Sequence, residues 1–284
     1  MAKIAVITDT DASFSQEFAV SHGITMVPIM VQFGEEGFRD TFDITNSQVF
    51  SRIDKEGKLP TTSAPSPGQF RESFLNAFNS GYESVICFTV SSEVSATYAS
   101  AVNARNEFPD KDISIIDSKS LTMQQGYMVL AAAESIDKGS SKEEAIAAAL
   151  NIRDRSYMFA ALSTLKYLAM SGRVGHIAAG FANLLDVKPI LTIRNGKLDL
   201  LEKIRTQKKA WSHTIELISN ASQGKIIERI SVIHVNVPEK AEYFKELLKS
   251  SVACPDLIET REINPGLSVH SGAGMVGAVV VTAD

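Results

Sequence analysis

Short apolar runs alternate with helical patterns through the first half of the chain, and this alternation limits the possible folds more than any other feature. The runs Lys3–Thr8, Thr25–Val31, Ser84–Val90 and Ile113–Asp117 are typical of buried strands. The segments between them carry the spacing of helices that pack on one face. Strands separated by helices are characteristic of βαβ units, so the pattern predicts a parallel sheet with flanking helices.

The second half of the chain has a different pattern, in which strand-like runs follow one another closely. Asn195-Gly196 lies between two of these runs and is a strong two-residue hairpin signal. The chain has 284 residues, and at roughly 150 residues per domain this length predicts two domains. We therefore predict an α/β protein: residues 1–158 form a mainly parallel domain, and residues 159–284 form a domain with a mixed or antiparallel sheet.

Composition excludes several classes of protein. Hydrophobic residues make up 44% of the chain and the formal net charge is −5, without a basic tract that would attract a nucleic acid. Cys87 and Cys254 form no C-x-x-C pair, so neither a zinc site nor a disulfide framework is expected. We expect a cytoplasmic protein, because the sequence shows no signal peptide and no membrane span.

Neither the glycine motif near the C-terminus nor the histidines indicate a cofactor or metal site. Gly272–Gly277 matches G-x-G-x-x-G, but it leads into a strand, whereas a dinucleotide site requires a helix there. The histidines show no spacing typical of metal ligands. We therefore expect no cofactor and no metal. His270 is the histidine that we expect at a binding site, because it precedes these glycines in a predicted loop.

Asp9 and Asp11 follow the first predicted strand, at the carboxyl end where open α/β sheets bind ligands. In a metal-dependent phosphohydrolase, Asp9 would act as the nucleophile and Asp11 as the acid/base. The sequence offers no convincing further acid pair for the magnesium ion. The competing interpretation is that both carboxylates cap the first loop, and we favour it while keeping the enzyme as an alternative.

Two clusters of hydroxyl side chains precede predicted helices. Residues 61–67 form the first cluster, in which Ser66 and Gln69 have the spacing of a capping box. Residues 91–97 form the second, after the strand that ends at Val90. Helix capping accounts for some of these hydroxyls but not for Thr62 and Ser95. Hydroxyls and free backbone N–H groups at helix N-termini favour a small anionic group, so we predict an anionic ligand here.

Six segments, in order along nearly the whole chain, resemble the hallmarks of the DegV family. They are Thr62-Ser63-Ala64-Pro65-Ser66-Pro67-Gly68, Ser91-Ser92-Glu93-Val94-Ser95-Ala96-Thr97-Tyr98, Ile116-Asp117-Ser118, Ser171-Gly172-Arg173-Val174, Val187-Lys188-Pro189-Ile190-Leu191 and His270-Ser271-Gly272-Ala273-Gly274. The resemblance implies a two-domain α/β protein that holds one long-chain fatty acid in a tunnel between its domains. It also implies that the protein is not an enzyme.

In bacteria that have a fatty acid kinase, proteins of this family present the bound carboxylate to the kinase and carry the acyl phosphate toward phospholipid synthesis. The resemblance implies that Thr62 and Ser95 hold the carboxyl group. It places His270 near that group and Arg173 near the mouth of the pocket, where phosphate or the kinase would bind. The complete predicted head-group set is Thr62, Ser63, Ser92, Ser95, His270 and Gly272.

Some features of the sequence depart from the family pattern. Ala64 stands where the family usually has Gln, and Glu93 stands where it usually has Gly. Both changes bear on the contacts of the ligand or on the choice of partner. The apolar stretches Tyr157–Met170 and Ile177–Leu185 are candidates for lining the tunnel. A lipid sensor without a kinase partner is a further alternative, and a transient contact with a membrane or an acyltransferase is compatible with either role.

Overall fold

The computed structural model describes residues 3–173 and 187–283. Contacts between residues divide the chain into two compact units. The first unit comprises Met1–Ile44 and Thr62–Asp154, and the second comprises Thr45–Thr61 and Arg155–Asp284. These units differ from the predicted domains in two ways. The change of unit comes after Asp154 instead of residue 158, and a short segment of the N-terminal half belongs to the second unit.

The first unit is built on a parallel sheet. The strands of this sheet are β1 (Ile4–Asp9), β2 (Ile24–Val27), β6 (Ser84–Thr89) and β7 (Asp112–Asp117). A small second sheet contains β3 (Met30–Phe33), β4 (Glu36–Arg39) and β5 (Thr61–Ser63). The order β2-β1-β6-β7 is parallel throughout, and β4-β3-β5 form the small sheet. Every residue of β1 and β6 is buried, as expected for parallel strands covered on both faces.

Helices follow the strands of the first unit in the order that the sequence predicts. They are α1 (Gln16–Ser21), α3 (Pro67–Asn79), α4 (Thr97–Arg105), α5 (Thr122–Asp137) and α6 (Lys142–Asp154), while α2 (Asn46–Glu56) belongs to the second unit. The predicted capping box before α3 is confirmed. The Gln69 N–H donates to Ser66 Oγ at 3.3 Å, and the Ser66 N–H donates to Gln69 Oε1 at 2.9 Å.

The second unit contains a six-stranded mixed sheet in the order β10-β9-β8-β13-β11-β12. Neighbouring strands are antiparallel, except that β11 and β12 are parallel. The strands are β8 (Ser156–Ala161), β9 (Lys188–Arg194), β10 (Lys197–Ile204), β11 (Ile227–His234), β12 (Glu259–Glu262) and β13 (Val276–Thr282). The described helices here, apart from α2, are α7 (Lys166–Ser171), α8 (Gln207–Ala221), α9 (Pro238–Ser251) and α10 (Pro265–Ser271).

The predicted fold class is confirmed, since one unit carries a parallel sheet and the other a mixed sheet. The predicted hairpin is confirmed as well. Arg194 pairs with Lys197, and Asn195 and Gly196 have φ values of +51° and +80°. Positive φ at both central residues is the geometry of a type I′ turn, which suits Asn-Gly because its twist matches that of the flanking strands.

One predicted strand needs correction. Thr25–Val31 is not one strand, because Pro28 interrupts it and β2 and β3 join different sheets. The apolar stretch Tyr157–Met170 is divided between strand β8 and helix α7. The other apolar stretch, Ile177–Leu185, lies outside the described residues. Among the described residues, no helix is both long enough and apolar enough to cross a bilayer.

Gly277 provides a test of the packing between β13 and its neighbour. A Cβ atom at this position would lie 2.3 Å from the carbonyl oxygen of Phe159 and 2.6 Å from the Cα atom of Ala160. Because backbone cannot yield as a flexible side chain does, we expect Gly277→Ala to lower the free energy of unfolding by about 1–3 kcal/mol. Urea denaturation measures this change.

Gly68→Ala is the matched control. At Gly68 the nearest atom to an added Cβ is Ser66 Oγ, at an ordinary contact distance of 3.7 Å. We expect this variant to be as stable as the parent. Equal stability of Gly277→Ala and the parent would contradict the close packing of β13 on β8.

Candidate functional site

The parallel sheet brings several polar loops to one edge of the first unit. The loops that follow β1, β6 and β7 all leave the carboxyl ends of neighbouring parallel strands. This is the edge at which open α/β sheets bind their ligands. The Ser91 N–H donates to the carbonyl oxygen of Ser120 at 2.9 Å, which joins the loops after β6 and β7. The candidate residues Ser92 and Ser95 lie in the loop after β6.

Ser95 lies at the N-terminus of α4, as the sequence predicts. Its hydroxyl accepts a hydrogen bond from the Thr97 N–H at 3.3 Å and pairs with the Thr97 hydroxyl at 2.8 Å. Ala96 occupies the N-cap position and has no side chain that could cap the helix. The first N–H groups of a helix have no partner within the helix and carry a partial positive charge. The half-buried Ser95 hydroxyl thus lies beside an N-terminus that favours an anion.

Thr62 and Ser63 lie on the short strand β5, where successive side chains point to opposite faces. Thr62 is half-buried and Ser63 is exposed. The Ser100 hydroxyl, in the first turn of α4, donates to the carbonyl oxygen of Pro65 at 2.5 Å. This bond ties the segment after Thr62 to the beginning of the helix that follows Ser95. Thr62 and Ser95 therefore lie on segments that meet at the start of α4.

Ser92, a predicted head-group residue, lies beside a lysine. Its hydroxyl accepts a hydrogen bond from Lys119 Nζ at 3.0 Å, and the same ammonium group forms ion pairs with Asp117 at 3.0 Å and Glu93 at 3.5 Å. Burial raises the pKa of Asp117, but hydrogen bonds from Ser92 and Lys119 outweigh it and hold the pKa below its ordinary value. Glu93, which departs from the family pattern, thus belongs to an exposed charged cluster.

Asp9 and Asp11 are both buried. The Asp9 carboxylate accepts hydrogen bonds from the Val90 N–H at 2.7 Å, the Asp11 N–H at 3.0 Å and Gln125 Nε2 at 3.0 Å. Burial raises the pKa of Asp9 to about 6, and these hydrogen bonds limit the rise. Burial, followed by the charges of Asp9 and Asp40, raises the pKa of Asp11 well above its ordinary value.

This geometry favours the structural interpretation of Asp9, which caps the first loop, over the enzymatic one. The Asp9 oxygens hold three N–H donors from the ends of neighbouring segments, whereas a nucleophile needs an oxygen open to its substrate. Within residues 3–173 and 187–283, no group of three or more His, Cys, Asp or Glu side chains is arranged to hold a metal ion. The phosphohydrolase is therefore not the favoured alternative.

His270 and Gly272 lie in the second unit, at the end of α10. The prediction that His270 lies in a loop is wrong, because it belongs to the last turn of this helix and the loop begins at Gly272. Gly272 has a φ of +79°, and a Cβ atom there would lie 2.2 Å from Cδ2 of Tyr167. Only glycine fits, since both the backbone angle and the close ring exclude a side chain. Tyr167 covers this face of Gly272, which was predicted to contact the ligand.

The environment of His270 determines its charge. Burial, followed by the positive charge of Arg173, lowers its pKa from 6.5 to about 4. At pH 7 the ring is therefore neutral, with one nitrogen that donates a hydrogen bond and one that accepts. Arg173 is exposed, and its Nη1 donates to the carbonyl oxygen of Ser171 at 2.7 Å. The structure thus brings together these two candidate residues of the second unit.

Two polar residues that sequence analysis missed hold the loop after His270. Ser163 Oγ donates to the carbonyl oxygen of Ala273 at 2.6 Å, and Lys188 Nζ donates to the carbonyl oxygen of Ser163 at 2.7 Å. Lys188 lies in a segment that resembles the family, but nothing in the sequence pairs it with Ser163. All of these residues lie at the end of the sheet where β8 ends and β9 and β13 begin.

The architecture defines a class of two-unit α/β protein, in which one unit has a parallel sheet with hydroxyl-bearing loops and the other a mixed sheet. The model of the DegV family, described as "Uncharacterised protein, DegV family", matches residues 3–283. The chain therefore belongs to the DegV family. A DegV domain-containing protein of Halalkalibacterium halodurans is 30% identical over 277 residues, which is 98% of each chain.

Solved structures of the family have the same fold. DegV from Bacillus subtilis, described as a fatty acid binding protein, has a TM-score of 0.87 and 31% identity and covers 100% of both chains. A DegV family protein from Thermus thermophilus, described by its fatty acid binding, has a TM-score of 0.91 and 26% identity. That comparison covers 99% of this chain and 100% of the other.

The buried acids predict an unusual dependence of stability on pH. Because the pKa of Asp9 rises from 3.8 to about 6 on folding, the native state binds more protons than the unfolded state in that interval. Its contribution to the free energy of unfolding therefore falls as the pH rises from about 4 to 6. Asp11, whose pKa is also raised, acts in the same direction. We expect Asp11→Asn to raise the melting temperature at pH 7.5 more than at pH 5.

Asp110→Asn is the control, since it removes the same charge from an exposed position in the same unit. We expect it to leave the melting temperature almost unchanged at both pH values. A lower melting temperature of Asp11→Asn at pH 7.5 would show instead that the fold requires the ionised carboxylate of Asp11. Differential scanning calorimetry between pH 5 and 8 makes the comparison.

Proposed function

We propose that this protein binds one long-chain fatty acid, presents its carboxylate to a fatty acid kinase and carries the acyl phosphate toward phospholipid synthesis. The observation that carries the proposal is the similarity over the full chain to the DegV of Bacillus subtilis, described as a fatty acid binding protein. The similar protein from Thermus thermophilus is described by the same property. In this proposal the protein is a binding partner of the kinase and not a catalyst.

The polar groups of the first unit support a site for the carboxylate. Thr62 and Ser95 each carry a hydroxyl that can donate a hydrogen bond, and the segments that bear them meet at the start of α4. The N–H groups of the first turn of that helix beyond Thr97, which lack partners within the helix, add further donors. A fatty acid head group needs only a few polar contacts of this kind, because its chain supplies most of the affinity.

Burial of the hydrocarbon chain supplies the driving force. Each buried CH₂ group contributes about 0.8 kcal/mol, so a chain of roughly 16 carbons gains on the order of 12 kcal/mol before association costs. Those costs are on the order of 4–15 kcal/mol, and polar head-group contacts must make up the difference. The predicted tunnel between the domains remains a prediction. So does the part played by residues 177–185, which lie outside the described residues.

The chemical step belongs to the kinase. An oxygen of the bound carboxylate attacks the γ-phosphorus of ATP, a P–O bond to ADP breaks, and the product is an acyl phosphate. The binding protein fixes the position of the carboxylate, which is a large part of catalysis in phosphoryl transfer. The neutral His270 ring donates or accepts a hydrogen bond without adding charge. The exposed Arg173 guanidinium supplies positive charge for the phosphate or for the kinase surface.

The cellular setting belongs to the proposal as well. Phosphoryl transfer from ATP places the protein in the cytoplasm. Delivery of the acyl phosphate calls for a transient contact with an acyltransferase or a membrane. A lipid sensor would bind the same ligand but would not support phosphorylation, so a kinase assay separates the two functions.

Native mass spectrometry of the purified protein, with lipid analysis of an organic extract, tests the binding function. We expect one long-chain fatty acid per chain, and its identity gives the chain length and unsaturation. An empty protein that also fails to bind added palmitate in a calorimetric titration would contradict the proposal.

Removal of the two head-group hydroxyls tests the assignment of the site. We expect Thr62→Val combined with Ser95→Ala to bind palmitate at least about tenfold more weakly, because hydrogen bonds to a charged group contribute about 1.5–3 kcal/mol. The melting temperature should fall only moderately, through loss of the bond from the Thr97 N–H to Ser95 Oγ, and the double variant should remain folded. Thr25→Val combined with Ser140→Ala is the control, since it removes one threonine and one serine hydroxyl elsewhere in the same unit. Equal affinity of the two double variants would refute the assignment.

Arg173 tests the part of the proposal that concerns the kinase. We expect Arg173→Ala to slow phosphorylation of the bound acid by about tenfold or more, with a smaller effect on palmitate affinity, since the exposed guanidinium meets phosphate or partner. Arg194→Ala removes an equally exposed charge from the β9–β10 hairpin and should be phosphorylated at the parent rate. A normal rate for Arg173→Ala in a reconstituted assay with fatty acid kinase and ATP would assign Arg173 a structural role.

A further inference from the structure

Helix α2 lies in the first third of the sequence but packs within the second unit. A capping box closes its N-terminus, in which the Gln48 N–H donates to Thr45 Oγ1 and the Gln48 side chain accepts from the Thr45 N–H. Its buried face consists of Asn46, Val49, Phe50 and Ile53. An amide at a buried position is costly unless its donor and its acceptor are both satisfied. The hydrogen-bond partners of Asn46 therefore indicate which part of the second unit α2 holds in place.

The NH₂ group and the oxygen of the Asn46 amide both form hydrogen bonds with α10 or with the residue just before it, and α10 is the helix that carries His270. Asn46 is 4% exposed. Its Nδ2 donates to the carbonyl oxygen of Ile263 at 2.7 Å, just before α10, and its Oδ1 accepts from the Ser268 hydroxyl at 2.5 Å, within α10. The start of α10 is thus held from outside, by a residue more than 200 positions away in the sequence.

A second contact of α2 is with Tyr167 of α7, which lies against the opposite end of α10. The rings of Phe50 and Tyr167 meet edge to face, with their centroids 6.2 Å apart and an interplanar angle of 81°. Tyr167 in turn covers Gly272, the residue that ends α10. His270 lies between the two points that are held, since Asn46 fixes the beginning of the helix and the ring pair confines its end.

We propose that α2 is a positioning element for His270, in which Asn46 fixes the start of α10 and Phe50, through Tyr167, fixes its end. The proposal rests on the proposed function for the role of His270 at the head group. A helix of seven residues is too short to be stable by itself, so its orientation depends on the contacts that hold it. Asn46 forms its hydrogen bonds with the Ile263 carbonyl and the Ser268 hydroxyl, so it acts on His270 through the position of α10.

The test compares Asn46→Ala with Thr192→Val. The Thr192 hydroxyl donates to the carbonyl oxygen of Met158 at 2.7 Å, so the control loses a buried side chain–backbone hydrogen bond in the same unit, away from α10. Nuclear magnetic resonance titration follows the pKa of His270, and calorimetry follows palmitate binding. A merely structural role of Asn46 would lower the melting temperature of both variants and leave the pKa of His270 unchanged in both.

We expect Asn46→Ala to raise the pKa of His270 from about 4 toward 6.5, because a loosened helix admits water to the ring. We also expect palmitate affinity to fall about tenfold, a loss typical of misplaced binding groups. Thr192→Val should retain the parent pKa and affinity. Ser268→Ala removes only one of the two Asn46 bonds, and it should shift both quantities in the same direction by less.

An unchanged pKa of His270 in Asn46→Ala overturns the proposal, and so does an equal shift in Thr192→Val. If Asn46→Ala does not fold, Ser268→Ala decides: a shift supports the proposal and an unchanged pKa overturns it. The pKa measurement needs no ligand. A parent protein that binds no palmitate, but whose His270 responds to Asn46→Ala, would refute the proposed function and support the positioning role of α2.

Discussion

One buried carboxylate, that of Asp9, joins the segments on which the first unit depends. Its oxygens accept N–H groups from the exit of β6, from the loop after β1 and from α5. Hydrogen bonds to a charged group are strong in a buried setting, but taking the charge out of water opposes them. The raised pKa of Asp9 shows that burial outweighs these bonds. A carboxylate has two oxygens with which to accept from the three segments, whereas an amide of the same shape has only one. The loop that carries Ser95 starts directly after Val90, whose N–H donates to the Asp9 carboxylate.

In the second unit, the loop beside the candidate site is also held in place, but no buried charged group among the described residues holds it. There the loop after His270 is fixed by close packing and by backbone carbonyls as acceptors. Tyr167 lies against Gly272, and Ser163 binds the carbonyl oxygen of Ala273. The imidazole is thereby held where burial keeps it neutral. The first unit accordingly offers hydroxyl and N–H donors, while the second offers a neutral ring beside an exposed guanidinium.

Features that depend on neighbouring residues were predicted well from the sequence. The capping box before α3 and the Asn-Gly hairpin each need only a few residues, and both are confirmed. The division at Pro28 was missed, because an apolar run shows periodicity but not the sheet that each half joins. The glycines after His270 favour a loop in the sequence, and the helix before them is too short to show a helical period. The hydroxyl clusters drew attention to Thr62 and Ser95. The sequence does not indicate the roles of Asn46 and Tyr167, because their partners are remote along the chain.

The placement of α2 also limits how the chain can be divided. The backbone passes from one unit to the other after Ile44, after Thr61 and after Asp154, so neither unit is a single continuous stretch of sequence. A fragment that starts at Arg155 would contain the whole mixed sheet and His270, yet it would lack the amide and the aromatic ring that cover α10 and α7. Production of the second unit alone therefore requires a permuted gene in which residues 45–61 are joined to the remainder.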